Sequence, residues 1–203
     1  YGNVKRATHS NTSWDFAKFE VCVHKWLDIS EDGYGVSVLN DCKYGCSIKD
    51  GVIGLSMLKS PIYPNPDADK ETHEFTYSIY PHQEGWREAG TVKEAYQLNN
   101  PLLAVVKKTE GGTLPGTYSF IGCGEENVIL EVVKKAEDDD SIILRLYECY
   151  NRRTDATLTF AEAPVSVVEC DMMEEGGETV ELLGNTASFT IKPYEIKTLK
   201  VVF

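Results

Sequence analysis

Apolar and polar residues alternate along much of this chain. Phe75-Thr76-Tyr77-Ser78-Ile79 puts Phe75, Tyr77 and Ile79 on one face, and Ala156 to Phe160 and Ala187 to Ile191 repeat the pattern. A period of two, carried by β-branched and aromatic residues, predicts half-buried strands. Further strand-like runs are Phe19 to Leu27, Gly35 to Asn40, Val52 to Leu58, Pro101 to Val106, Asn127 to Val133, Ser141 to Tyr147, Val165 to Cys170 and Ile196 to Val202. Turn-forming clusters separate them: Glu31-Asp32-Gly33, Lys49-Asp50-Gly51, Glu174-Glu175-Gly176-Gly177 and Gly184-Asn185. Many short strands between regular turns predict an all-β chain of β-sandwich type. The acidic run Glu137 to Asp140 reads as a solvated hairpin turn.

Two stretches interrupt the pattern. Ser60 to Asp67 carries Pro61, Pro64 and Pro66 and cannot pair as a central strand, so it is expected to be an ordered loop. The other break runs from Pro81 to Asn100. Within it, Thr91 to Leu98 lacks Gly and Pro and is rich in helix formers, and Asn99-Asn100-Pro101 stops it. That predicts one short helix in a mid-chain connection. The expected organisation is residues 1–84 as the C-terminal part of a larger sandwich, 85–100 as a linker with the helix, and 101–203 as a terminal sandwich.

Length and charge narrow the function. The chain has 203 residues, enough for a sizeable core, and no apolar run approaches the roughly 18 residues of a membrane span. Its net charge of −12 argues against nucleic acid and anionic membrane as partners, which need a concentrated basic face. The chain opens on Tyr1 with no targeting pattern and reads as a piece of a longer polypeptide. Six cysteines, with Cys22, Cys149 and Cys170 inside apolar runs, read as reduced thiols of a cytoplasmic protein. Cys42 and Cys46 form the only close pair and lack the further ligands of a zinc site.

Chemistry-bearing motifs are sparse. His9, His24, His73 and His82 form no metal-ligand spacing, and no phosphate loop, dinucleotide fingerprint or nucleophile elbow is present. No residue is assigned as catalytic or as a metal ligand. The stretch Val36 to Gly45 does stand out, because an apolar strand runs into Asn40-Asp41-Cys42-Lys43-Tyr44. Its donors and acceptors of both polarities, with one aromatic face, suit a polyhydroxylated ligand. The competing reading is a polar turn closed by Gly45. Trp26 follows an apolar strand and reads as core; Trp86, in the mid-chain connection, reads as the exposed tryptophan.

Several stretches together resemble one family. Asn11 to Trp26, Gly35 to Gly45, Leu58 to Pro61, His73 to Tyr77 with Tyr80-Pro81-His82, Lys134 to Asp138 with Leu144 to Glu148, and Pro193 to Leu199 are similar to the C-terminal region of glycoside hydrolase family 38 α-mannosidases of the cytosolic and vacuolar type. The resemblance spans nearly the whole chain, in order. It implies a parent that hydrolyses terminal α-mannosides with retention, through a glycosyl-enzyme intermediate. It further implies an N-terminal catalytic domain that holds the Asp nucleophile and a zinc ion. None of those motifs falls in this chain, so it is expected to need no cofactor itself and to be inactive alone. The implied partners are its own N-terminal catalytic domain and a mannose-containing oligosaccharide. On the same ground Asn40, Asp41, Lys43 and Tyr44 are candidates for the active-site rim, with His9 and Asp15 second. A freestanding carbohydrate-binding module and a scaffold for contacts between identical subunits stay open as alternatives.

Overall fold

A computed structural model describes residues 1–107 and 111–203. The chain divides into two compact units, Lys5–Lys107 and Tyr1–Val4 with Lys108–Phe203. Both consist of antiparallel sheets, and two short helices occur in the first.

The first unit begins with α1 (Ser13–Ala17), β1 (Val21–Cys22), β2 (Trp26–Glu31), β3 (Tyr34–Asn40), β4 (Gly45–Lys49) and β5 (Val52–Ser56), and ends with β6 (Tyr77–Gln83) and α2 (Thr91–Asn99). One sheet has the order β2-β3-β6 and the other β1-β4-β5. Leu27, Val38 and Cys46 join them in a small core, ringed by Val23, Ile48, Ile53 and Leu55. The opposite face of the β2-β3-β6 sheet carries α2, whose Thr91, Val92 and Ala95 are buried. The helix therefore packs within this unit.

The second unit contains β7 (Ile121–Cys123), β8 (Val128–Lys135), β9 (Ile142–Glu148), β10 (Thr154–Phe160), β11 (Ser166–Cys170), β12 (Glu178–Thr179), β13 (Glu181–Leu183), β14 (Thr186–Ile191) and β15 (Ile196–Val202). A four-stranded sheet, β13-β14-β10-β7, faces a five-stranded sheet, β12-β11-β15-β9-β8. Alternate residues of each meet in one core: Ala156, Leu158 and Phe160 from β10, Ala187 and Ile191 from β14, Leu144 and Leu146 from β9, Leu199 and Val201 from β15. This is the alternation that marked these strands in the sequence. The chain's first residues belong here as well: Asn3 Nδ2 donates to the Cys149 carbonyl (2.8 Å), the Tyr194 hydroxyl donates to Asn3 Oδ1 (3.0 Å), and Tyr1 packs on Tyr147.

Several expectations need correction. The run Phe19 to Leu27 is two strands, because Lys25 takes a left-handed φ of 65° and turns the chain between them. Pro101 to Val106 forms no strand, and Leu102, Leu103, Val105 and Val106 are exposed. The strand begun at Phe75 starts at Tyr77 and runs through Pro81 to Gln83; Pro81 is tolerated because β6 is an edge strand. Its Phe75-Tyr77-Ile79 face is the exposed one. Trp14 is the exposed tryptophan, whereas Trp86 stacks against Trp26 with ring centroids 5.0 Å apart. Cys22, inside an apolar run, is also exposed.

Candidate functional site

The turn that joins β3 to β4 carries the first set of candidate residues. Asn40, the last residue of β3, is fully buried. Its N–H donates to the Lys25 carbonyl (2.9 Å), and its carbonyl accepts from Asn99 Nδ2 of α2 (3.0 Å). Its carboxamide has no hydrogen-bond partner among the described residues. Asp41 fastens the turn to the segment before β6: its N–H donates to the Thr76 carbonyl (3.2 Å), and the Thr76 N–H donates to Asp41 Oδ2 (2.9 Å). The neighbouring Cys42 thiol and that N–H hold the Asp41 carboxyl below the usual carboxylate range. The carboxylate in turn pushes the Cys42 thiol up.

Lys43 and Tyr44 follow at the surface. The Lys43 ammonium lies 5.2 Å from the centre of the Phe75 ring. The Tyr44 hydroxyl donates to the Asp41 carbonyl (3.3 Å), and its ring meets His24 edge-on at 4.5 Å. The structure therefore brings Asp41, Lys43 and Tyr44 around one turn braced by Thr76 and Phe75. Asn40 lies beneath them, out of reach of solvent.

His9 and Asp15 form a separate pair, with Nδ1 3.6 Å from Oδ2. Thr12 explains why they meet. It caps α1 by accepting from the Asp15 N–H (3.1 Å), while its hydroxyl donates back to Asp15 Oδ2 (2.7 Å). That reciprocal box fixes the carboxylate at the helix start, and the Thr12 hydroxyl, with His9 beside it, holds the Asp15 carboxyl low. α1 is a second helix, beyond the one expected from the sequence; the spacing Thr12-x-x-Asp15 is the signal that could have found it.

Sequence reasoning missed a third cluster. Asp28 Oδ1 lies 2.8 Å from His82 Nε2 and accepts from the Ser37 hydroxyl (2.7 Å), and Ser37 Oγ lies 2.8 Å from Thr91 Oγ1. The residue types suggest a hydrolytic triad, but the geometry is that of a clamp. Asp28 and Ser37 crowd the same ring nitrogen, whereas Nδ1 faces the Glu84 carbonyl at 3.2 Å. A triad needs its base between nucleophile and carboxylate, one on each nitrogen. The Asp28 and His82 side chains are also buried beneath α2. The cluster therefore ties β2, β3, β6 and α2 together.

Among the described residues no group of His, Cys, Asp and Glu could hold a metal ion, so the zinc implied by the family resemblance finds no ligand set in them. No helix among them is long and apolar enough to cross a membrane. None of the six cysteines is joined to another in a disulfide.

Both units are built of antiparallel β-sheets, and their polar clusters brace turns and helices. Residues 1–67 match the glycosyl hydrolases family 38 C-terminal domain, and residues 127–199 match the glycosyl hydrolases family 38 C-terminal beta sandwich domain. The chain belongs to family 38 and comprises C-terminal domains of that family. Over its whole length it is 40% identical to alpha-mannosidase G of Dictyostelium discoideum and 38% identical to alpha-mannosidase 2C1 of Homo sapiens. It spans 19% and 20% of those proteins, about a fifth of the length of the curated relatives it matches. A solved alpha-mannosidase from Enterococcus faecalis V583 shares the fold, with a TM-score of 0.79 at 16% identity, over 97% of this chain and 23% of that one.

Proposed function

We propose that this chain is the C-terminal part of a retaining α-mannosidase that hydrolyses terminal α-mannosides. In this reading residues 1–84 end a large sandwich, 85–100 carry α2 as the connection, and 101–203 form the terminal sandwich. The chain supports the catalytic part and lends the turn from Asn40 to Tyr44 to the rim of the active site. The parent's zinc and nucleophile lie outside this chain, so the chain alone turns over no mannoside. The observation that carries the reading is the match of the entire chain to relatives that are each named alpha-mannosidase. Six cysteines without a disulfide fit a reducing, cytoplasmic setting.

The turn is suited to a rim because its anchor and its free groups are different residues. Asp41 is spent on Thr76, whereas Lys43 presents an ammonium and Tyr44 a half-open ring. An ammonium can donate to sugar hydroxyls while the ring covers an apolar sugar face. The test is Lys43→Ala in the parent enzyme, assayed on an α-mannoside. The expected result is a fall in kcat/KM of about 10-fold or more, the scale of one hydrogen bond to a charged group, with an unchanged melting temperature. A lowered melting temperature with intact kcat/KM would make the turn purely structural.

A further inference from the structure

Among the described residues the outer edge of β6 is unpaired, and three observations bear on what it does. The first is the cross-strand row Leu27, Val38, Ile79, whose members stand side by side on one face of the β2-β3-β6 sheet. Their exposures are 5%, 8% and 66%. The β1-β4-β5 layer covers this face at β2 and β3 and stops short of β6, leaving Tyr77 and Ile79 bare.

The second observation is the phase of the ladder. The Asp41 N–H donates to the Thr76 carbonyl, so that pair bonds inward. Alternation along β3 and β6 then makes Ser78 and Tyr80 inward-bonding, while Tyr77, Ile79 and Pro81 turn their backbone groups to the open edge. Pro81 agrees with this phase, since its missing N–H is harmless only on the outward side. The open edge therefore offers the N–H and carbonyl of Tyr77 and Ile79 and loses its donor at Pro81. The third observation is chemical: β6 reads Tyr-Ser-Ile-Tyr-Pro-His-Gln and holds no Lys, Asp or Glu of the kind that usually guards an exposed edge.

We propose that this edge receives a β-strand from the polypeptide that precedes this region in the parent enzyme. The strand would pair along Tyr77 to Tyr80, end opposite Pro81, and cover Tyr77 and Ile79 with its apolar side. The proposal rests on the reading of the chain as part of a longer enzyme. The relatives extend about five times its length, and the match at residues 1–67 is to a C-terminal domain, which puts the source of the strand upstream. A second copy of this chain is a poorer occupant, because each copy carries a net charge of −12 and the two would repel.

Amide hydrogen exchange on the parent enzyme and on the 203-residue chain tests the proposal. The Ser78 and Tyr80 amides are expected to be protected in both. The Tyr77 and Ile79 amides are expected to exchange about 10-fold or more slowly in the parent than in the isolated chain. Ile79→Lys should leave the melting temperature of the isolated chain unchanged and speed exchange of the Tyr77 amide in the parent about 10-fold or more. Equal exchange of Tyr77 and Ile79 in both proteins overturns the proposal, as does their protection in a dimer of the isolated chain. A parent that protects these amides but hydrolyses no α-mannoside supports the strand and defeats only the assigned activity.

Discussion

Asp28 and His82 stand on the two outer strands of one sheet, yet Nε2 and Oδ1 are 2.8 Å apart. The contact reaches over the central strand because Gly35, the partner of His82 in register, has no side chain. A Cβ built there would lie 2.3 Å from His82 Cε1. The bridge and the glycine are one device. Asp28→Ala is expected to destabilise the first unit by about 1–3 kcal/mol or more, the scale for leaving a buried polar group without its partner. Gly35→Ala should act in the same direction, by about 1–3 kcal/mol, through displacement of the ring. Urea melts of each variant against the unaltered chain measure both; a Gly35→Ala protein as stable as the original would refute the steric argument.

Glu148 ties the start of the chain's second unit to its end. It is fully buried and accepts from Asn127 Nδ2 (2.8 Å), the Tyr150 N–H (2.7 Å) and the Tyr194 N–H (3.0 Å). Burial pushes its carboxyl up, but the Tyr194 N–H and the other donors outweigh it, so the carboxyl ends below its ordinary value of 4.5. A depressed carboxylate stabilises the fold fully above its unfolded value and loses that contribution as pH falls through the folded one. The second unit should therefore weaken below about pH 4.5. Glu148→Gln should remove part of that slope while lowering stability at pH 7, as read from urea midpoints between pH 7 and pH 3.

The Asn40 carboxamide is buried with neither of its polar atoms paired among the described residues. An unpaired polar group costs about 1–3 kcal/mol, and an apolar group of the same shape avoids that cost. Asn40→Leu, close in shape, is thus expected to leave the melting temperature unchanged or to raise it. A fall of several degrees would mean that the amide is engaged in the folded protein.

The thiols should sort by burial. Cys22 and Cys42 are exposed, whereas Cys46, Cys149 and Cys170 are buried. Desolvation also raises the Cys46, Cys123 and Cys170 thiols. Brief alkylation of the native chain, read by peptide mass, is expected to label Cys22 first and Cys42 next, slowed by the Asp41 carboxylate, with all six labelled after unfolding without reductant.

Legibility in the sequence followed the physics of each element. The strands β10 and β14 were plain because one side of each faces a core and the other faces water, which is what period-two alternation encodes. The same rule misled at β2 and β3. There Asp28 and Ser37 are polar positions of alternating strands, yet they face α2 and pair with His82 and Thr91. Alternation marks two faces and does not say what lies over the second. Pro101 to Val106 had strand composition, yet a strand needs a neighbour, and no local pattern supplies one. At the candidate site the residue types were legible and their division of labour was not. Only the contact with Thr76, thirty-five positions away, separates the anchoring Asp41 from the outward Lys43.

Asn3 carries a consequence for how the chain holds together when cut. Its two hydrogen bonds, to Cys149 and Tyr194, join residues 146 and 191 positions apart. Lys5–Lys107 is thereby an insertion between the first strand-less residues of the other unit and its body. A protease that nicks the exposed stretch between Pro101 and Val106 leaves Asn3 on one fragment and both of its partners, Cys149 and Tyr194, on the other. Two hydrogen bonds, each worth about 1 kcal/mol net, are too few to hold such fragments together on a sizing column. In the growing polypeptide the two bonds cannot both form until Tyr194 has been made, 191 positions after Asn3.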